Sequence, residues 1–178
     1  IDLKAQSSEK DLASAIQGLA DSVRKNLSLT AADIKEVEAQ SYVPQSSSVS
    51  ALRDYNDANS LMRVGRTLEA RRQLQAAVAA DSKFALAYAH LGEVQADLGY
   101  QGDAEEASRR AIELAESEKL PPAALYIIEA SHARVMQQNG KAIGYYENLA
   151  HNLAGDTDVQ FALGDLYMRE EFGAPHDD

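Results

Sequence analysis

Two stretches decide the fold: GRTLEARRQLQAA at residues 65–77 and GYQGDAEEASRRA at residues 99–111. Gly65, Ala70 and Ala77 of the first recur as Gly99, Ala104 and Ala111 of the second, each after 34 residues and without a gap. A fixed period of this length marks stacked supersecondary units, none of which buries its apolar face alone. Ala142 continues the series four residues late. The extra residues fall in 117–122, where Pro121 and Pro122 can begin a helix but cannot sit inside one. Gly164 follows Ala142 by the 22 residues that also separate Gly92 from Ala70, which opens a fourth unit in register.

The rest of the composition fits helices. The chain has 178 residues, of which 31 are Ala and only four are Pro. Ala has the best helix propensity and Pro the worst. Small residues at fixed points also let two helix backbones approach, where a larger side chain would hold them apart. The repeat predicts helices near 50–64, 67–80, 84–98, 101–116, 121–137, 140–153 and 157–171. Ahead of them, Leu12, Ala15, Ile16, Leu19, Val23 and Leu27 recur at three- and four-residue steps, predicting an amphipathic helix over 8–27. Residues 1–5 read as a strand end, and 30–40 as a short helix with a capping start. The Ser-rich stretch 41–48, with Pro44, reads as a linker. The expected organisation is an N-terminal helical arm and linker at 1–48, repeats at about 50–83, 84–117, 121–156 and a partial 157–173, and a tail at 174–178.

This pattern resembles the tetratricopeptide repeat (TPR). Tyr88, Leu91-Gly92 and Ala104 stand at the motif's aromatic, Leu-Gly and Ala positions. Leu163-Gly164 and Tyr167 match a fourth unit, and Ala70, Ala77, Ala111 and Ala142 the small positions of second helices. Asp57-Ala58 and Glu129-Ala130 replace Leu-Gly in units one and three, and Ser82 and Glu116 stand where the loop Pro is expected. The resemblance covers about two thirds of the chain. It implies an all-α helical-repeat solenoid, a right-handed superhelix of antiparallel helix pairs. It also implies a non-catalytic module that binds protein or peptide. The arm followed by repeats resembles the TPR regions of bacterial signalling proteins that join a kinase, cyclase or winged-helix module to such repeats. The alternative is that the arm caps the first unit. The start at Ile1 fits excision from a longer protein.

Charge and composition exclude several functions. Zero Cys excludes disulfides, thiolate metal sites and thiol nucleophiles. A net charge of −11 argues against nucleic acid, which needs a basic surface. The charge is uneven: residues 151–178 carry −6 of it, and 51–100 sum to zero. No apolar run approaches the roughly 18 residues of a membrane span, so no membrane insertion is expected. The compartment is open, with cytoplasm favoured and an extracytoplasmic site allowed if a parent is membrane-anchored. No catalytic residue, metal site or cofactor is expected. His90, His132, His151 and His176 lack ligand spacing. Asp156 and Asp158 read as helix capping rather than a cation loop. Arg63, Arg66, Arg71 and Arg72 read either as an acidic-peptide contact or as a solvated face in which Arg72 pairs with Glu69; the second reading is preferred.

In the TPR register the first helices line a concave groove. The candidate peptide contacts are Tyr55, Asn59, Met62, Ala89, Glu93, Ile127, Ser131, Arg134, Phe161 and Asp165. Leu52, Leu86, Ala96, Ala124 and Met168 share the stripe. Chaperone-binding members clamp a terminal carboxylate with Lys and Asn. Here Asn59 fits, but Tyr55, Ala124 and Ile128 replace the cations, which argues against chaperone-tail binding. The last helix has Val159, Phe161, Leu163, Leu166 and Tyr167 and no second helix after it. It is either a cap or an apolar strip that mediates self-association.

Overall fold

A computed structural model describes residues 46–153 and 156–173. The expectations for 1–45 and for the 174–178 tail lie outside the described residues. Among the described residues there are seven helices and no strand. They are α1 (Val49–Arg63), α2 (Thr67–Ala80), α3 (Ala85–Asp97), α4 (Gln101–Glu118), α5 (Pro122–Val135), α6 (Asn139–Asn152) and α7 (Thr157–Gly173). The fold is an all-α, TPR-like helical repeat. α1 pairs with α2, α3 with α4 and α5 with α6, and each pair packs on the next.

Residues 46–48, the end of the expected linker, immediately precede α1 and are tied to the end of α2. The Ser46 hydroxyl and the Ser47 amide both donate to the Asp81 carboxylate. Ser48 caps α1, its Oγ accepting from the Ala51 amide at 3.2 Å. The side-chain oxygen satisfies a donor that the first turn leaves unpaired. Asp81 also accepts from the Lys83 amide at 3.0 Å, holding the loop that lacks its motif proline.

The turn inside each pair is the same object three times. The Arg66, Tyr100 and Gln138 amides donate back to the Leu61, Gln95 and Ala133 carbonyls at 2.9, 2.8 and 2.8 Å. The intervening residues are left-handed: Gly65 at φ 72°, Gly99 at 82° and Gln137 at 57°. This is the Schellman closure, which glycine adopts without a Cβ penalty and Gln137 does not. The four-residue insertion lengthens α4, which has 18 residues against 14 in α2. Lys119 then turns left-handed, and Pro122 opens α5 where no backbone donor is needed.

The repeat alanines lie where helices meet. Ala70, Ala77, Ala104 and Ala142 are 0% exposed and Ala111 is 1% exposed. Gly92 marks the tightest approach: a Cβ there would lie 3.0 Å from the Ala104 carbonyl oxygen and 3.3 Å from the Ser108 amide. At Gly164, the same motif position in α7, a Cβ would meet nothing within 4 Å. α3 has a second helix against this face. α7 has none among the described residues.

The two glycines therefore respond oppositely to substitution. Gly92→Val should destabilise by about 1–3 kcal/mol through overpacking against backbone. Gly164→Ala should stabilise by about 0.4–1 kcal/mol, because the unfolded chain loses freedom and the helix gains no clash. Chemical denaturation of both variants checks the pair, and equal effects would place the α3–α4 contact wrongly.

Candidate functional site

The first helices of the units converge on one concave face. α1, α3, α5 and α7, with Tyr146 of α6, enclose a cavity of about 360 Å³. The buried side chains of Val94, Ile127 and Val159 line it, and half-exposed Phe161 and partly buried Met62 border it. The array curves enough that Arg63, ending α1, reaches Asp158, opening α7, at 3.1 Å.

Arg134 is the centre of this face. Its Nη1 donates to Glu93 Oε2 at 3.1 Å and its Nη2 to Asp165 Oδ2 at 3.0 Å. One side chain of α5 thus ties α3 to α7. Only 13% of the Arg134 side chain and 3% of the Glu93 side chain are exposed, so this is an ion pair taken out of water. Tyr146 donates its hydroxyl to the other Glu93 oxygen at 3.4 Å. Arg169 extends the chain of charges, donating to Asp165 at 2.9 Å and to Asp97 Oδ1 at 3.1 Å.

The protonation states follow from burial and partners. Burial by itself would raise the Glu93 carboxyl, but Arg134, together with His90 and the Ser131 and Tyr146 hydroxyls, holds the group below the usual carboxylate value. Burial would lower Arg134, and Glu93 with the other surrounding acidic groups raises it instead. Burial, then the Glu93 charge, pushes the Tyr146 hydroxyl up. Asp97 is the exception: burial raises it, and Arg169 with the more distant Arg134 does not restore it. His90 is lowered by burial despite Glu93 and Asp158 nearby. Its Nδ1 lies 2.8 Å from Asn59 Oδ1, and its ring stacks on Tyr55.

Seven of the expected contacts line the cavity: Asn59, Met62, Glu93, Ile127, Arg134, Phe161 and Asp165. Three do not. Tyr55 is wholly buried between Phe84 and His90, filling the seam of α1 and α3. Ala89 and Ser131 are 1% and 0% exposed and face neighbouring helices rather than open space. A helix stripe at the concave register includes side chains that pack sideways, and periodicity does not separate the two.

The residues missed from sequence are His90, Asp97, Tyr146, Asp158 and Arg169. Asp97 and Arg169 each lie four residues beyond an expected contact, Glu93 and Asp165, so extending the stripe by one turn would have found them.

The arginine cluster disperses. Arg63 pairs with Asp158, Arg66 with Glu69, and Arg71 lies over the Tyr100 ring at 4.4 Å. Glu69 takes Arg66 rather than the expected Arg72, because Arg66 immediately precedes α2 and reaches it with two nitrogens. Asp156 caps α7, accepting from the Asp158 and Val159 amides at 2.9 and 3.1 Å. His132 meets Ser108 Oγ at 2.8 Å. No cluster of His and carboxylates among the described residues could hold a metal ion, and no described helix is long and apolar enough to cross a membrane. Tyr55, Ala124 and Ile128, the positions of the missing clamp cations, are all buried.

No family model and no curated protein matches this sequence. Among solved structures the chain is similar to the first TPR of Spaghetti (RPAP3) bound to HSP90 peptide SRMEEVD. The TM-score is 0.41 at 17% identity, over 70% of this chain and 95% of that one.

Arg134→Met should destabilise by about 3–5 kcal/mol, because Glu93 is left buried without its counterion, and adding Glu93→Gln should recover much of the loss. A double-mutant cycle by denaturant unfolding checks this. His90 should make stability fall on acidification. Its folded value lies below the 6.5 of the free side chain, so the unfolded chain binds more protons between the two. The contribution is complete above that pH and is lost as pH drops from there towards the folded value. His90→Gln should flatten this part of the profile.

Proposed function

We propose that this chain is a non-catalytic repeat module that binds a protein or peptide segment on the face formed by α1, α3, α5 and α7. One observation carries the reading: a concave cavity of about 360 Å³ whose lining mixes apolar side chains with paired charges and is bordered by half-exposed side chains. Ligand sites are concave, largely preformed and mostly apolar, with a few placed polar groups, and a volume of roughly 300–1,000 Å³ is typical. Phe161 is 49% exposed at its edge and offers a rigid apolar contact. The resemblance of the arm and repeats to bacterial signalling proteins supports a regulatory or scaffolding role in a larger protein of that kind. The expected partner is a protein or peptide, not nucleic acid.

A structural spacer or oligomerisation element is the second reading. The Arg134 network favours it, since these ion pairs already tie α3, α5 and α7 across the concave face. Exposed Phe161, Tyr167 and Met168 on α7 are where self-association would occur.

Selection of random dodecapeptides displayed on phage separates the two. The wild-type chain should retain peptides that are lost at least about tenfold on Ala162→Trp, which fills the cavity, with the helical fold checked by circular dichroism. Equal retention on both proteins, or none on either, would leave the spacer reading.

A further inference from the structure

The concave cavity has more to say about its ligand than its shape. It is lined by three arginines, Arg63, Arg134 and Arg169, and four carboxylates, Glu93, Asp97, Asp158 and Asp165. Every one of these arginines is already held. Arg63 is on Asp158, Arg134 on Glu93 and Asp165, and Arg169 on Asp165 and Asp97. An acidic ligand would share a guanidinium that already neutralises a carboxylate, in a lining where carboxylates outnumber arginines four to three.

The carboxylates are in the opposite position. The ion pairs engage Oδ1 of Asp97, Oδ1 of Asp158 and Oδ2 of Asp165, so each keeps accepting capacity on its second oxygen. Their side chains are 30%, 40% and 31% exposed, so solvent and ligand reach them. Asp97 is the least compensated of the set, its carboxyl raised by burial. The remaining titratable neighbour, His90, is held towards its neutral form and adds no cation. The half-exposed Phe161 ring borders the same cavity, where a guanidinium or ammonium is attracted to an aromatic face.

We infer that the cavity takes a basic side chain, Arg or Lys, presented by a peptide segment with apolar neighbours. The basic group meets the open oxygen of Asp97, and the apolar neighbours rest on Phe161 and Met62. This rests on the peptide-binding reading above and assigns it a ligand chemistry. The charge is opposite to that of a terminal-carboxylate clamp, and the geometry gives the reason: the local arginines are spent on holding the helices together.

The dodecapeptide selection tests it, because cavity dependence and ligand charge are read separately. Peptides retained on the wild type and lost on Ala162→Trp should carry Arg or Lys beside apolar residues. Replacing that basic residue with norleucine should weaken a recovered peptide by about tenfold, measured by fluorescence anisotropy. Asp97→Asn should weaken the parent peptide to a similar degree and leave the norleucine peptide unaffected. Where this variant does not fold, the norleucine peptide on the wild type carries the comparison. Cavity-dependent peptides that are acidic, lack a basic residue or ignore the carboxylate change would overturn the inference while peptide binding stands. Absence of any cavity-dependent peptide would overturn both.

Discussion

A buried guanidinium holds the concave face of this protein together. Arg134 cannot leave water alone, because an uncompensated charge in a low-dielectric interior costs several kcal/mol. It is compensated by Glu93 on one side and Asp165 on the other, so α3, α5 and α7 must stand at fixed distances around it. Tyr146 takes the Glu93 oxygen that Arg134 leaves open, and Arg169 shares Asp165 Oδ2 with Arg134. In a perfect repeat array these positions would be equivalent and apolar contacts would set the curvature. Here the units carry different residues at the same register, Glu93, Ser131 and Asp165, and charge complementarity adds a constraint that apolar packing lacks.

The same network shapes what the site can recognise. Apolar burial would close the concave face, and free charge would make it a general ion attractor. The combination leaves a cavity whose arginines are each paired internally and whose carboxylates outnumber them. Specificity in such a site comes from the cost of disrupting what is already paired as much as from new contacts. Rigidity helps too, since a preformed face loses little freedom on binding.

Imperfection in the repeat has structural consequences. The four added residues extend α4 by about one turn rather than forming a loose loop, and Lys119 turns the chain sharply before Pro122. Gln137 adopts the left-handed turn that glycine supplies in the other units, because three backbone closures of the same geometry demand it. Gly164 keeps the motif glycine although no second helix among the described residues approaches it.

Residues 65–77 and 99–111 were enough to determine the helix pairs, because small residues at a fixed period have one physical use: letting backbones touch. Ala70, Ala104 and Ala142 are accordingly fully buried. The concave stripe was legible as a set of register positions, and Asn59, Glu93, Arg134 and Asp165 lie on the cavity that it implied. What only the tertiary structure decided is which of those positions open to a ligand and which charges remain available. Tyr55 shares the stripe with Asn59 but fills a seam against Phe84 and His90, and periodicity along one helix says nothing about the neighbour that covers it. The bulk charge of −11 likewise left the ligand open. Electrostatics at a site depends on pairing across elements distant in sequence, and only folding brings Arg63 to Asp158 and Asp97 to Arg169.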